Sequence, residues 1–228
     1  MQQMNYYREL HGKYSGEYRK LRQKLNILAF TRVIVFILTV YLGYVLTKTD
    51  YIVGISVIAV LLSFFIYLVI YYERKKDQLQ IINNLIRVNS GEIEAIRGNI
   101  SNFPDGEEFR DPSHEYTNDL EIFGNSSLFQ YINRTCTYAG KNKLANWLRN
   151  PLKSKEKISR RQSAVNELSQ LLDWRQKFLA IGKKVDLDQY NDTHLIVWSK
   201  EQTWLSPNIT YQILRWALPL MTFILLGL

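Results

Sequence analysis

Residues 51–72 read YIVGISVIAVLLSFFIYLVIYY and contain no charged side chain. At 1.5 Å of rise per residue, this run makes roughly 33 Å of helix, a match for a hydrocarbon core about 30 Å thick. Tyr51, Tyr67, Tyr71 and Tyr72 stand at or near its ends, where aromatic residues meet the membrane–water interface. The buried helix of a soluble protein is shorter and carries a polar stripe, which this run lacks. The stretch predicts a transmembrane helix.

A second apolar run, 27–46, comes just before it and contains one charge, Arg32. An arginine near the end of a span can extend its head group to the interface. Only residues 47–50 separate the runs, so the expected unit is a helical hairpin over 27–72. A cleavable signal peptide does not fit, because the basic leader of residues 1–26 is too long and no small-residue cleavage site follows. Arg8, Lys13, Arg19, Lys20, Arg22 and Lys24 precede the hairpin and Arg74, Lys75 and Lys76 follow it, whereas the connecting turn has only Lys48. The positive-inside rule then places both ends in the cytoplasm of a bacterial-type inner membrane. On that side the Asn-x-Ser/Thr triplets at Asn125 and Asn133 are chance matches. Residues 213–228 end in the uncharged run WALPLMTFILLGL, expected as the start of a third, truncated membrane segment, with a buried core helix as the other reading.

The net charge of +8 is unevenly placed. Residues 1–32 carry seven Lys/Arg against two Glu, and residues 73–133 carry six against eleven acids. Residues 134–184 hold thirteen against three. Cys136 is the single cysteine, so an intrachain disulfide is excluded and a buried apolar role is expected. His11, His114 and His194 form no spaced ligand pair, which argues against a metal enzyme and leaves the metal site empty of candidates.

Residues 73–115 read as a juxtamembrane helix to about Arg97, with Leu79, Ile82, Leu85, Ile86 and Val88 on one face, followed by a turn-rich linker. A strand-like element is expected at 120–123. Beyond it the pattern is helical and the fold class mainly α. Ser126 or Ser127 caps one short helix and Thr135 or Thr137 caps the next, which Pro151 stops. Ser154 caps a third with Ile158, Val165, Leu168 and Leu172 on one stripe, and a fourth covers 173–183.

Within this segment, Asp119-Leu120-Glu121-Ile122-Phe123-Gly124 is followed by Ser127-Leu128-Phe129-Gln130-Tyr131-Ile132-Asn133-Arg134-Thr135. Thr137-Tyr138-Ala139-Gly140, Leu144-Ala145-Asn146-Trp147-Leu148, Pro151-Leu152 and Arg161-Gln162-Ser163-Ala164-Val165-Asn166-Glu167-Leu168 come next. In order and spacing this resembles the start of the core domain of MutS-type mismatch-repair ATPases, over roughly 116–180 within a helical domain of 116–212. The resemblance implies a helical hub between nucleotide and DNA ends, with Leu128, Phe129, Leu144, Trp147 and Leu148 as packing residues. It departs from the mismatch-repair members in having a membrane hairpin where they carry a Phe-x-Glu wedge domain, and so is similar to a membrane-bound MutS-like branch. The phosphate loop of that family would lie beyond residue 228. Gly140-Lys141-Asn142 does not form it, since Thr135 replaces the first glycine and Asn142 the Ser/Thr. The resemblance thus implies ATP and Mg for a full-length protein, homodimerisation through domains outside this chain, and no catalysis or cofactor within it.

The basic block holds the candidate phosphate-contacting residues Lys153, Lys155, Lys157, Arg160 and Arg161. Their density suits DNA phosphates or anionic lipid, while a solvated helix face accounts for them equally. Two functions follow: membrane anchor and partial core of a MutS-like ATP-dependent DNA-binding protein, or a membrane-tethered helical adaptor for a protein partner. A small-molecule enzyme fits less well, because Glu107, Glu108 and Asp111 sit in the turn-rich linker.

Overall fold

In the computed structural model, the described residues are 2–184 together with Val197, Trp198, Lys200, Ile213, 215–217, Pro219, Met221 and Thr222. They are mainly helical, with no strand among them: α1 (Gln2–Thr49), α2 (Tyr51–Ile96), α3 (Leu128–Ile132), α4 (Tyr138–Arg149), α5 (Lys155–Gln170) and α6 (Leu172–Gly182). The chain divides into two units, Met1–Leu187 and Asp188–Leu228. Of the second, the described residues are helical, and the expected membrane segment at 213–228 lies largely outside them.

α1 and α2 are 48 and 46 residues long, about 70 Å each, and pair antiparallel. The leader is continuous with the apolar run because neither proline nor glycine-rich punctuation interrupts it. Along α1, Tyr7, His11, Tyr14, Tyr18, Leu21, Leu25, Leu28, Arg32, Val35, Thr39, Leu42 and Leu46 alternate steps of four and three, and each is buried or half-buried. On α2 the same alternation runs from Gly54 through Ile58, Leu61, Phe65, Leu68, Tyr72, Lys75, Leu79, Ile82 and Ile86 to Asn89. This is a heptad seam, and it runs unbroken from the apolar halves into the polar halves.

The hairpin turn is tighter than the expected 47–50, since Asp50 alone lies outside the helices. Its extended backbone (φ −149°) reverses the chain, and its carboxylate accepts from the Ile52 and Val53 N–H groups at 3.0 and 3.3 Å. Gly54 permits the reversal, because a Cβ there would sit 2.7 Å from the Thr47 backbone nitrogen. Gly54→Leu should therefore prise the hairpin apart, at about 3 kcal/mol or more for overpacking against backbone. Loss of cross-linking between cysteines placed at Phe36 and Phe65, whose rings lie 6.1 Å apart, would report it.

Both helices are long and apolar enough to cross a membrane. Their pairing leaves most of that apolar surface uncovered: Phe30, Ile34, Val40, Val60 and Ile66 are each more than half exposed.

In the polar halves, α6 lies on the pair. Tyr14, Leu85 and Ala180 form the apolar contact, with Leu10, Ile81, Ile82 and Ile86 around it. Buried amides set the register. Asn84 Nδ2 donates to the Ala180 carbonyl at 2.9 Å, Gln176 Nε2 donates to Asn89 Oδ1 at 2.9 Å, and Asn89 Nδ2 donates back to Gln176 Oε1 at 3.3 Å. Lys184 pairs with Asp77 at 2.8 Å. α6 thus runs antiparallel to α2, its C-terminal end toward the apolar half.

A second cluster contains Ile122, Phe123, Phe129 and Ala145, enclosed by Phe109, Tyr116, Leu144 and Leu148. The expected strand at 120–123 is instead a turn at its centre. Ile122 N–H donates to Thr117 O and Phe129 N–H to Ile122 O, both at 2.9 Å, and Glu121 takes φ 48°, so those backbone groups are spent on turn and helix start.

Candidate functional site

Five basic residues follow the stop of α4. Asn150 ends that helix before Pro151, as the sequence predicts, and α5 begins at Lys155 after Ser154, whose side chain makes no capping bond. Lys153 precedes the helix. Within it, Lys157 and Arg161 share a face, Arg160 lies farther round, and Lys155 points nearly opposite Lys157. Arg160 is paired with Glu156 at 2.7 Å, both groups well exposed. Arg161 instead lies over the Trp147 ring, 4.0 Å from its centroid. Lys157, Arg160 and Arg161 thus fall within about 100° of arc on α5, Lys155 lies nearly opposite Lys157, and Lys153 stands before the helix.

Arg161 edges a cleft of about 510 Å³ between the end of α4 and α5, lined by Trp147, Pro151, Leu152, Ile158 and Val165. The stripe expected to bury α5 forms its wall but remains open: α5 has no buried residue, and Ile158, Val165 and Leu168 are 38%, 61% and 42% exposed. Leu172 belongs to α6, because the helix breaks at Leu171. Trp147 and Leu128 are likewise exposed rather than core, whereas Phe129 is fully buried and Leu144 and Leu148 pack on it as expected.

The acidic linker is structural. Glu107 pairs with Arg110 at 3.2 Å and Glu108 with Lys141 at 2.5 Å, while Asp111 accepts from the Ser113 hydroxyl and N–H, which holds its carboxyl below the usual range. With Lys141 engaged by Glu108, and Thr137 capping α4 through the Gly140 N–H at 3.0 Å, residues 135–142 do not make a phosphate cradle. No group of three or more His, Cys, Asp or Glu that could hold a metal ion occurs among the described residues.

A junction absent from the sequence reading ties this segment to α2. The Arg134 guanidinium forms a two-point contact with Glu92, Nε to Oε1 at 2.5 Å and Nη2 to Oε2 at 3.2 Å. It also donates to the Tyr131 and Asn133 carbonyls and lies 3.7 Å from the Phe103 ring centroid. Beside it a cleft of about 450 Å³ is bordered by Tyr7, Val88, Tyr131, Trp174 and Phe178. Burial, followed by the Glu92 carboxylate, pushes the Tyr7 hydroxyl above its ordinary value. Asn133, fully buried, donates to Pro104 O and accepts from the Thr135 hydroxyl at 2.7 Å, which fixes the strand of chain that presents Arg134. Cys136 is half-buried, its thiol pushed up by desolvation, in keeping with an unreactive packing residue.

A family described as MutS domain III matches residues 117–194. The match spans the turn cluster, α3 to α6 and the chain just beyond, and makes this segment MutS-like. No curated protein and no solved structure matches the chain.

Proposed function

We propose that the chain is the membrane anchor and partial core domain of a MutS-like, ATP-dependent DNA-binding protein related to mismatch repair. The observation that carries this reading is the MutS domain III match at 117–194, on a segment bonded to a helix pair with uncovered apolar faces. In this reading the apolar halves span a bacterial-type inner membrane as a hairpin with Asp50 outside, and the MutS-like segment stands in the cytoplasm. ATP and Mg act on other parts of the whole protein, as does dimerisation. The chain itself is not an enzyme.

The test uses the full chain. In a Cys136→Ser background, a cysteine replacing exposed Thr49 should react with an impermeant reagent from outside intact cells. One replacing Lys20 should react only after lysis. Labelling of Lys20→Cys from outside would invert the orientation. For DNA, the chain in nanodiscs should bind duplex with an affinity that falls steeply with salt, and Arg161→Gln should flatten that slope by about 0.9, one phosphate contact. No binding at low salt would remove direct DNA contact from this chain. The open α4–α5 cleft supports the second reading, an adaptor whose protein partner covers Trp147, Ile158 and Val165.

A further inference from the structure

The heptad seam carries two cations, about 10 Å apart along the pair. Arg32 on α1 and Lys75 on α2 interrupt a run that is otherwise apolar, aromatic or uncharged, and neither helix places an acid on the seam between Tyr7 and Asn89. Arg32 is half-buried, its guanidinium 4.2 Å from the centroid of the Tyr72 ring across the pair. Its Nε is buried with no partner, and among the described residues the group makes no hydrogen bond or ion pair. The neighbouring acids are engaged elsewhere: Glu73 with Lys76 at 3.6 Å and Asp77 with Lys184 at 2.8 Å. Lys75 lies 5.6 Å from the Tyr71 ring centroid and bonds only the Gln78 amide oxygen.

A guanidinium held out of bulk water without acceptors is costly, so an acceptor belongs there. On the spanning reading proposed above, on which this inference rests, depth identifies it. Arg32 stands about 27 Å along the helix from the Asp50 turn, and Tyr72 about 33 Å. A hydrocarbon core about 30 Å thick ends between them. The acceptors concentrated at that level are lipid phosphate oxygens, which the planar fork of arginine meets with two parallel bonds. We propose that Arg32, with Tyr72 beneath it and Lys75 one turn along the facing seam, binds the phosphate of an anionic phospholipid in the cytoplasmic leaflet. Tyr72 holds the guanidinium in plane, and Lys75 supplies the second positive charge that favours an anionic over a zwitterionic head group.

The test is native mass spectrometry of the full chain in mild detergent with equal phosphatidylglycerol and phosphatidylcholine. The wild-type chain should retain phosphatidylglycerol preferentially. Arg32→Gln should cut that preference about fivefold, the effect of one basic residue at a membrane surface. Arg32→Lys, which keeps the charge but loses the fork and the stacking, should fall between the two, and Lys143→Gln, exposed on α4, should leave the preference unchanged. An Arg32→Gln chain with undiminished preference, or an equal loss in Lys143→Gln, overturns the site. Displacement of the lipid by excess inorganic phosphate assigns the contact to free phosphate and overturns the lipid. Alkaline carbonate extraction of the same variants separates the two readings: release of the wild-type chain sinks the membrane span, whereas retention with unaltered lipid preference sinks the site alone.

Discussion

Phe129→Ala should destabilise the MutS-like segment by about 3–5 kcal/mol, the usual cost of removing a buried aromatic ring. Phe129 is 0% exposed, and its ring meets those of Phe109 and Phe123 at centroid distances of 5.6 and 5.5 Å. Gly106, at φ 72°, also packs its backbone directly against the ring, since a Cβ added there would lie 2.6 Å from it. Domains commonly have about 5–15 kcal/mol in total, so this loss is a large share. Urea unfolding of the full chain in detergent, followed by tryptophan fluorescence, would measure it. A midpoint within about 1 kcal/mol of wild type would mean that the turn cluster is not the core of this segment.

Arg134→Met should cost about 2–3 kcal/mol and, more tellingly, should uncouple the segment from α2. The substitution removes the two-point contact with Glu92 and both backbone contacts, leaving a half-buried carboxylate without its cation. Removing one partner of a fully buried pair costs about 3–5 kcal/mol, and the residual exposure of these side chains, 28% and 21%, trims that. A double-mutant cycle distinguishes coupling from packing. Glu92→Leu combined with Arg134→Met should recover a substantial part of the loss, because no orphaned charge remains. Strict additivity would show that the pair contributes nothing beyond its two separate environments.

The hairpin is legible in residues 51–72 because length and absence of charge suffice for it. The caps are legible too: Thr137 and Ser127 accept from Gly140 and Gln130 N–H groups at the helix starts where hydroxyl side chains were expected to do so. The seam is harder to read, since every position in 51–72 is apolar or small and a period of 3.5 has no contrast against which to show. It becomes visible only in the polar halves, at Tyr14, Leu25 and Ile82. The α6 contact is hidden for the opposite reason. Asn84, Asn89 and Gln176 look like surface residues in a sequence, yet their amides satisfy one another when buried. The stripe of α5 misleads in the other direction, because helical spacing of Ile158, Val165 and Leu168 says that a face is apolar, not that this chain covers it. Of the candidate site, the basic residue types were legible, but not the stacking of Arg161 on Trp147, which joins residues of different helices. The Glu92–Arg134 contact spans separate elements and leaves no local signature.

On the spanning reading proposed above, the length of α2 past Tyr72 also sets how much of the bilayer's charge the Arg134 junction can sense. Asn89, opposite Gln176, stands about 26 Å beyond Tyr72 along the helix, and Glu92 about 30 Å. At physiological ionic strength the screening length is about 8 Å, so the potential of anionic lipid has decayed through more than three such lengths at the Arg134 junction. Lys184, paired with Asp77, stands only about 8 Å beyond Tyr72, whereas at the Arg134 junction the stalk is in this sense an insulator. A polyanion meeting the segment at that height would be governed by solution salt, and changing the lipid from neutral to anionic should leave its affinity there nearly untouched.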